Sequence, residues 1–128
     1  MTNHRIAIPT NGNNGLEDVV SKVFGRAKTF TIVDVFTTGD TQDEKLDLVK
    51  VIENPAKSYI HGVGPIVTRM LIDRGIDLVL ACQLGLGTQG LLKQHNIQHI
   101  PVMPNTKVRQ VVELAINTLK KKDIMYEI

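Results

Sequence analysis

Asp77-Leu-Val-Leu-Ala-Cys82, then Gly85-Leu-Gly-Thr-Gln-Gly90, then Gln98-His-Ile-Pro-Val-Met103, is the stretch that decides the fold. The first run is almost continuously apolar, the pattern of a strand covered on both faces. The glycine-rich loop leads into a short helix over Thr88–Gln94. Gln98–Met103 reads as a closing strand, and Pro101 inside it points to a sheet edge. Strand, helix, strand in that order implies a parallel pair with a right-handed crossover.

The neighbouring segments extend this pattern in both directions. Before it, Ile66, Val67, Met70 and Leu71 follow helical spacing, and Gly75 closes the helix. After it, Val108, Val111, Val112, Ala115, Ile116 and Leu119 form a helical stripe. Lys120, Lys121 and Lys122 are expected at its end, where cations complement the helix dipole. Nearer the start, Arg5-Ile-Ala-Ile8 reads as a short strand stopped by Pro9. Leu16, Val19, Val20, Val23 and Phe24 are spaced as a short helix that Gly25 ends. Thr29–Phe36 is rich in β-branched and aromatic residues. Leu46–Glu53 alternates, and the polar turn Thr37–Thr41 between these two segments makes them antiparallel neighbours. The order is β-α-β-β-α-β-α-β-α. It predicts one α/β domain over residues 1–128: a three-layer α/β/α unit with a five-stranded mixed sheet, the second strand antiparallel between the first and third.

Composition narrows the function. The 128 residues are one domain's worth, and 42% hydrophobic with 22% charged is ordinary for a globular protein. One cysteine rules out an internal disulfide and a zinc site of several thiolates. The 15 basic and 13 acidic residues leave a net charge of +2, too slight an excess to imply nucleic acid or an anionic membrane. Aromatic residues are 4% of the chain, and there is no tryptophan with which to stack single-stranded nucleic acid. No apolar run approaches ~20 residues. The first residues lack the apolar stretch of a signal peptide, so a cytoplasmic protein is expected.

Three glycine-bearing loops lie at strand ends or helix starts: Asn11–Gly15, His61-Gly62-Val63-Gly64-Pro65, and Gly85–Gly90. Ligands of open α/β sheets bind beyond the carboxyl ends of parallel strands, so convergence of these loops would build one glycine-walled concavity. Backbone amides at a helix start could hold an anion there. A β-branched side chain at Gly64 is expected to be forced into a conformation only glycine tolerates. Gly85, Gly87 and Gly90 match G-x-G-x-x-G, but no acidic residue stands about 20 residues further on to grip a ribose. His61 reads either as a loop histidine bonded to a carbonyl or as an imidazole ligand at the crevice. His4, His95 and His99 lack any regular metal spacing relative to His61 and read as surface or edge residues. Cys82 reads as a small buried hydrophobe or as a thiolate ligand for a soft metal. Met103 is a core residue or its thioether neighbour. Arg26 is a planar fork for an anion or a solvated loop residue. No serine–histidine–acid order and no HExxH occurs.

Arg5-Ile-Ala-Ile-Pro9, Gly15-Leu-Glu-Asp18, Phe24-Gly25-Arg26-Ala27, Glu53-Asn54-Pro55-Ala56 and His61-Gly-Val-Gly-Pro65 together resemble the dinitrogenase iron–molybdenum cofactor biosynthesis family of NifX- and NafY-like proteins. The likeness runs over nearly the whole chain. It implies a ribonuclease-H-like fold and a small binder or carrier of iron–molybdenum–sulfur clusters or precursors, a molybdenum–copper sulfide protein being one such relative. It implies no enzyme. Where the family often carries Gly-Gly-Met-Gly-Pro-Arg-Ala, this chain has Cys82-Gln-Leu-Gly-Leu-Gly-Thr88, which keeps Gly85 and adds a thiol. Two-metal nuclease chemistry would need a carboxylate on the first strand, and Arg5-Ile-Ala-Ile8 offers none.

The expectation is a non-enzymatic binding protein for an anionic iron–molybdenum or molybdenum–copper sulfide cluster or its precursor. His61, Gly62, Gly64, Cys82, Gly85 and Arg26 are its expected contacts, with Cys82 and His61 as metal ligands. A cluster donor or acceptor protein is the expected partner, with neither nucleic acid nor membrane. The alternatives are a nucleotide-binding regulator or enzyme using Gly85–Gly90, or a protein-interaction module.

Overall fold

A computed structural model of the chain describes residues 2–37 and 44–126. Beyond Thr37, the expected turn over Thr37–Thr41 lies outside the described residues. The strands are β1 (Thr2–Thr10), β2 (Thr29–Thr37), β3 (Glu44–Glu53), β4 (Leu78–Ala81) and β5 (Gln98–Pro101). The helices are α1 (Val63–Asp73), α2 (Leu86–Gln94) and α3 (Val108–Tyr126). The five strands form one mixed sheet in the order β3-β2-β1-β4-β5. As expected, β2 runs antiparallel between β1 and β3, while β1, β4 and β5 are parallel.

Successive strand residues feed two separate cores, as the two-residue period of a strand demands. Ala7, Phe30, Ile32, Val79 and Ala81 pack with Val67 and Leu71 of α1 and Leu92 of α2. Ile6, Ile8, Val33, Val35, Leu78 and Leu80 pack with Val108, Val112, Ala115 and Leu119 of α3. All four residues of β4 are buried, which is why its sequence is apolar without alternation.

Four expectations need correction. The first strand continues through Pro9 to Thr10. The Pro9 carbonyl accepts from the Ser21 N–H at 2.8 Å, so the Pro9 nitrogen faces that side too, away from β2, and no ladder donor is lost. Leu16–Phe24 is not a helix: after a single 3-10 turn at Gly15–Glu17 the chain is extended, bridging Thr10 through Val20 and Lys107 through Val19. Local bonds compete with a helix here. Asp18 accepts from Asn14 and Val19 N–H at 3.1 and 2.8 Å, and Ser21 Oγ accepts from Val23 N–H at 3.2 Å. The closing strand ends at Pro101, leaving Met103 73% exposed and outside both cores. Finally, α3 runs on to Tyr126, so Lys120, Lys121 and Lys122 lie within the helix and not at its end.

β1, β3, β4 and β5 all point their carboxyl ends to one edge of the sheet. The segments after Glu53 and Ala81, and the start of α1, therefore share that edge.

Candidate functional site

Two helices begin at this edge without side-chain caps. Gly62 precedes α1 with φ +74°, ψ 21°, and the left-handed conformation there suits glycine. Because Ile66 N–H is the first to bond back, to the Gly62 carbonyl, the N–H groups of Val63 and Gly64 have no intrahelical acceptor, and Pro65 has no N–H. Gly85 precedes α2 in an extended conformation, and Gln89 N–H is the first to return, to the Gly85 carbonyl. Leu86, Gly87 and Thr88 thus also offer N–H groups. Neither first turn holds an acidic residue, so the positive ends of both helix dipoles are uncompensated there.

The two starts are close neighbours. A Cβ built on Gly64 would lie 3.2 Å from Thr88 Oγ1, and one on Gly25 would lie 2.9 Å from Val63 Cγ1. Gly64 therefore serves by close approach, not by the special conformation expected of it, which belongs to Gly62. Lys22, Phe24, Gly25, Leu84, Gly85 and Thr88 line a cleft of about 350 Å³ beside these helix starts.

The motifs that carry the resemblance hold this edge together. Buried Asn54 donates through Nδ2 to the carbonyls of Gly25 and Ala27, both at 2.8 Å, and accepts from Ala56 N–H at 2.8 Å. Arg26 donates to the carbonyls of Tyr59 and Ile60 at 2.5 and 2.9 Å. Its fork spans the backbone leading to His61, a use that neither reading of Arg26 from sequence included. Phe24 meets the edge of Phe30, centroids 5.4 Å apart, and anchors the turn in the core.

The expected site residues are only partly assembled. Gly62, Gly64 and Gly85 come together, with Arg26 bracing the approach. His61 is exposed just before α1 and lines neither this cleft nor its neighbour. Cys82 is half-buried in that neighbouring cleft, of about 580 Å³, across the Gln83–Leu84 segment. There it stands with Lys93, Gln98 and His99, and not with His61. The Asn11–Gly15 loop leads to the other face: Leu16 packs in the α3 core, and Glu17 accepts from Lys107 Nζ at 3.2 Å and Arg109 Nε at 2.9 Å. Those bonds hold the Glu17 carboxyl below its ordinary pKa. On β1, Arg5 forms a two-pronged pair with Asp34 at 2.9 and 3.1 Å, which raises the guanidinium pKa. Gly87 and Gly90 fall inside α2, so G-x-G-x-x-G is not one continuous loop. Sequence reasoning missed Lys22, Thr88 and Lys93 and set His99 aside. No motif marks any of them: α2 brings in Thr88 and Lys93, the β4–β5 register His99, and the β1–β2 connection Lys22.

Among the described residues, no group of three or more His, Cys, Asp or Glu side chains is arranged to hold a metal ion, and no helix is long and apolar enough to cross a membrane. Paired, uncapped helix starts at the carboxyl edge of a mixed α/β sheet are chemically able to hold an anion. Over residues 4–118 the chain matches the family described as Dinitrogenase iron-molybdenum cofactor, and it belongs to that family. An uncharacterized protein of Methanocaldococcus jannaschii is 27% identical over 93 residues, 73% of this chain and 70% of that protein. The fold is similar to the apo form of the orange protein from Desulfovibrio gigas, with TM-score 0.72 at 24% identity over 90% of this chain and 88% of that one. It is also similar to the crystal structure of PH0822, with TM-score 0.69 at 24% identity over 89% and 91% of the two chains.

Proposed function

We propose that this protein binds and carries an anionic metal–sulfur cofactor or its precursor, of iron–molybdenum or molybdenum–copper sulfide type, without transforming it. The observation that carries the reading is the meeting of the uncapped starts of α1 and α2. Five N–H groups, from Val63, Gly64, Leu86, Gly87 and Thr88, have no intrahelical acceptor, and Thr88 and Gly85 line a cleft that has Lys22 on its wall and no carboxylate among its lining residues. Such a cradle neutralises a bulky anion through backbone donors, and the glycines keep side chains out of its way. Membership of a family described by the iron–molybdenum cofactor supports the same class of cargo.

In this reading Gly62, Gly64 and Gly85 shape the cradle, Arg26 positions the His61 approach, and His61 and Cys82 are soft donors at its margin. The chain is read as a single cytoplasmic domain of ribonuclease-H-like type, and the cores on the two sides of the sheet support its three layers. A donor or acceptor protein would exchange cargo at the same edge.

Purification without oxygen, followed by metal and sulfide analysis and an absorption spectrum, tests the proposal. Sulfide-to-metal charge-transfer bands with iron, molybdenum or copper are expected. A bound nucleotide in their place would move the assignment to the nucleotide-binding alternative.

A further inference from the structure

We propose that Cys82 and His99 together form an open, two-donor site for one thiophilic metal ion, of which Cu(I) suits the donor set best. It shares Cys82 with the cluster reading but does not rest on it, since it concerns a bare ion in the larger cleft and His99 in place of His61.

The two side chains line the same cavity of about 580 Å³. The parallel pairing of β4 with β5 sets them there: Val79 lies opposite His99 and Ala81 opposite Pro101. The His99 ring reaches along the strand, its Nε2 3.0 Å from the carbonyl oxygen of Ala81, the residue that precedes Cys82. One hydrogen bond thus ties the imidazole to the peptide unit that carries the thiol. A carbonyl can only accept, so Nε2 is the ring nitrogen that donates, and Nδ1 is the one left to meet a ligand. Donation of the second ring N–H to a backbone carbonyl is how metal-binding histidines are oriented and their tautomer set. His99 has that arrangement without a metal having imposed it.

The surroundings select the ion. No carboxylate lines the cleft, which disfavours hard cations such as Mg²⁺ and Ca²⁺. With no third His, Cys, Asp or Glu grouped with them among the described residues, a tetrahedral Zn²⁺ site would have to complete itself with water. Cu(I) accepts few ligands and prefers thiolate and imidazole. The floor of Leu84, Leu92 and Ile97 is buried and apolar, which favours an ion of low charge.

Anaerobic titration of the chain with Cu(I) alone, against a chromophoric Cu(I) chelator, tests the site. One Cu(I) per chain is expected, with thiolate-to-copper absorption in the near ultraviolet and loss of Cys82 reactivity toward a thiol reagent. Cys82→Ser should lose at least a hundredfold in affinity and the absorption band. His99→Gln should lose about tenfold or more, since its amide can still donate to Ala81 while offering no imidazole nitrogen. His61→Ala should bind as the parent does. Circular dichroism melts establish that each variant is folded. Unchanged affinity in His99→Gln, retention of the band in Cys82→Ser, a loss in His61→Ala equal to that in His99→Gln, or Zn²⁺ held more tightly than Cu(I) would each overturn the proposal.

Discussion

Gly64→Val probes a close approach between α1 and α2. At this helical position valine gains about 0.4 kcal/mol over glycine in intrinsic propensity. Against that, a Cβ would sit 3.2 Å from Thr88 Oγ1, tighter than ordinary contact, and valine adds two methyl groups beyond it. Overpacking of that kind costs about 1–3 kcal/mol, so contact outweighs propensity and a net loss of about 1–2 kcal/mol follows. In a domain of this size that lowers the melting temperature by roughly 3–8 °C. Gly64→Ala adds Cβ alone and should be nearly neutral. Gly85→Ala, with nothing within 4 Å and an extended backbone, should stay within about 0.5 kcal/mol of the parent. Thr88→Ala in the Gly64→Val background should restore about 0.5–1 kcal/mol, a coupling that two independent sites would not show. Denaturant melts of the four variants and the double variant measure all of this. If Gly64→Val melts with the parent, or Thr88→Ala adds without coupling, the packing of α1 against α2 is not what demands glycine.

Asn54→Ala strips partners from the buried Ala27 carbonyl, the part-buried Gly25 carbonyl and the buried Ala56 amide, and should cost about 3 kcal/mol in denaturant melts; a loss below about 1 kcal/mol would mean that water replaces the side chain. Glu17 titrates below its ordinary value because Arg109 and Lys107 hydrogen-bond its carboxylate. Its contribution is therefore complete above the ordinary value of about 4.3 and is lost as pH falls through the lower folded-state value. Glu17→Gln should be less stable than the parent at pH 7 and equal to it at pH 2; a difference that persists unchanged in acid would refute the ion-pair origin.

The fold was legible wherever one structural demand dominated. A strand buried on both faces has to be apolar throughout, so β4 announces itself; the two hairpin strands alternate or carry β-branched residues for equally local reasons. Leu16–Phe24 failed because two demands share its pattern. Val19 and Val20 sit at helical spacing, yet they are β-branched, and the side chains of Asp18 and Ser21 offer the backbone local bonds that an extended segment can use. The tertiary bond from Val20 N–H to the Thr106 carbonyl at 2.9 Å then decides it, and no local pattern contains that bond. Pro9 misled for a related reason. A proline ends pairing only on the side its nitrogen faces, and which side that is depends on a register the sequence does not display.

The candidate site was legible in its backbone and less so in its side chains. Glycines before helices mark Gly62, Gly64 and Gly85 without any knowledge of tertiary structure, because the local geometry of a helix start is what selects them. Arg26 shows the opposite case. Next to a glycine-rich edge, a guanidinium suggests an anion, but here two carbonyls 33 and 34 residues away occupy its fork. The cation is used to brace the backbone before α1, which in the proposed reading leaves backbone amides and Lys22 to face an anion. His99 completes the argument: it has no regular ligand spacing to His61, yet parallel pairing sets it opposite Val79, from where its ring reaches the carbonyl of Ala81, the residue before Cys82. Ligand spacing along the chain has meaning within one helix or loop. Across a sheet the meaningful interval is the register, and Cys82 acquires a histidine neighbour only through it.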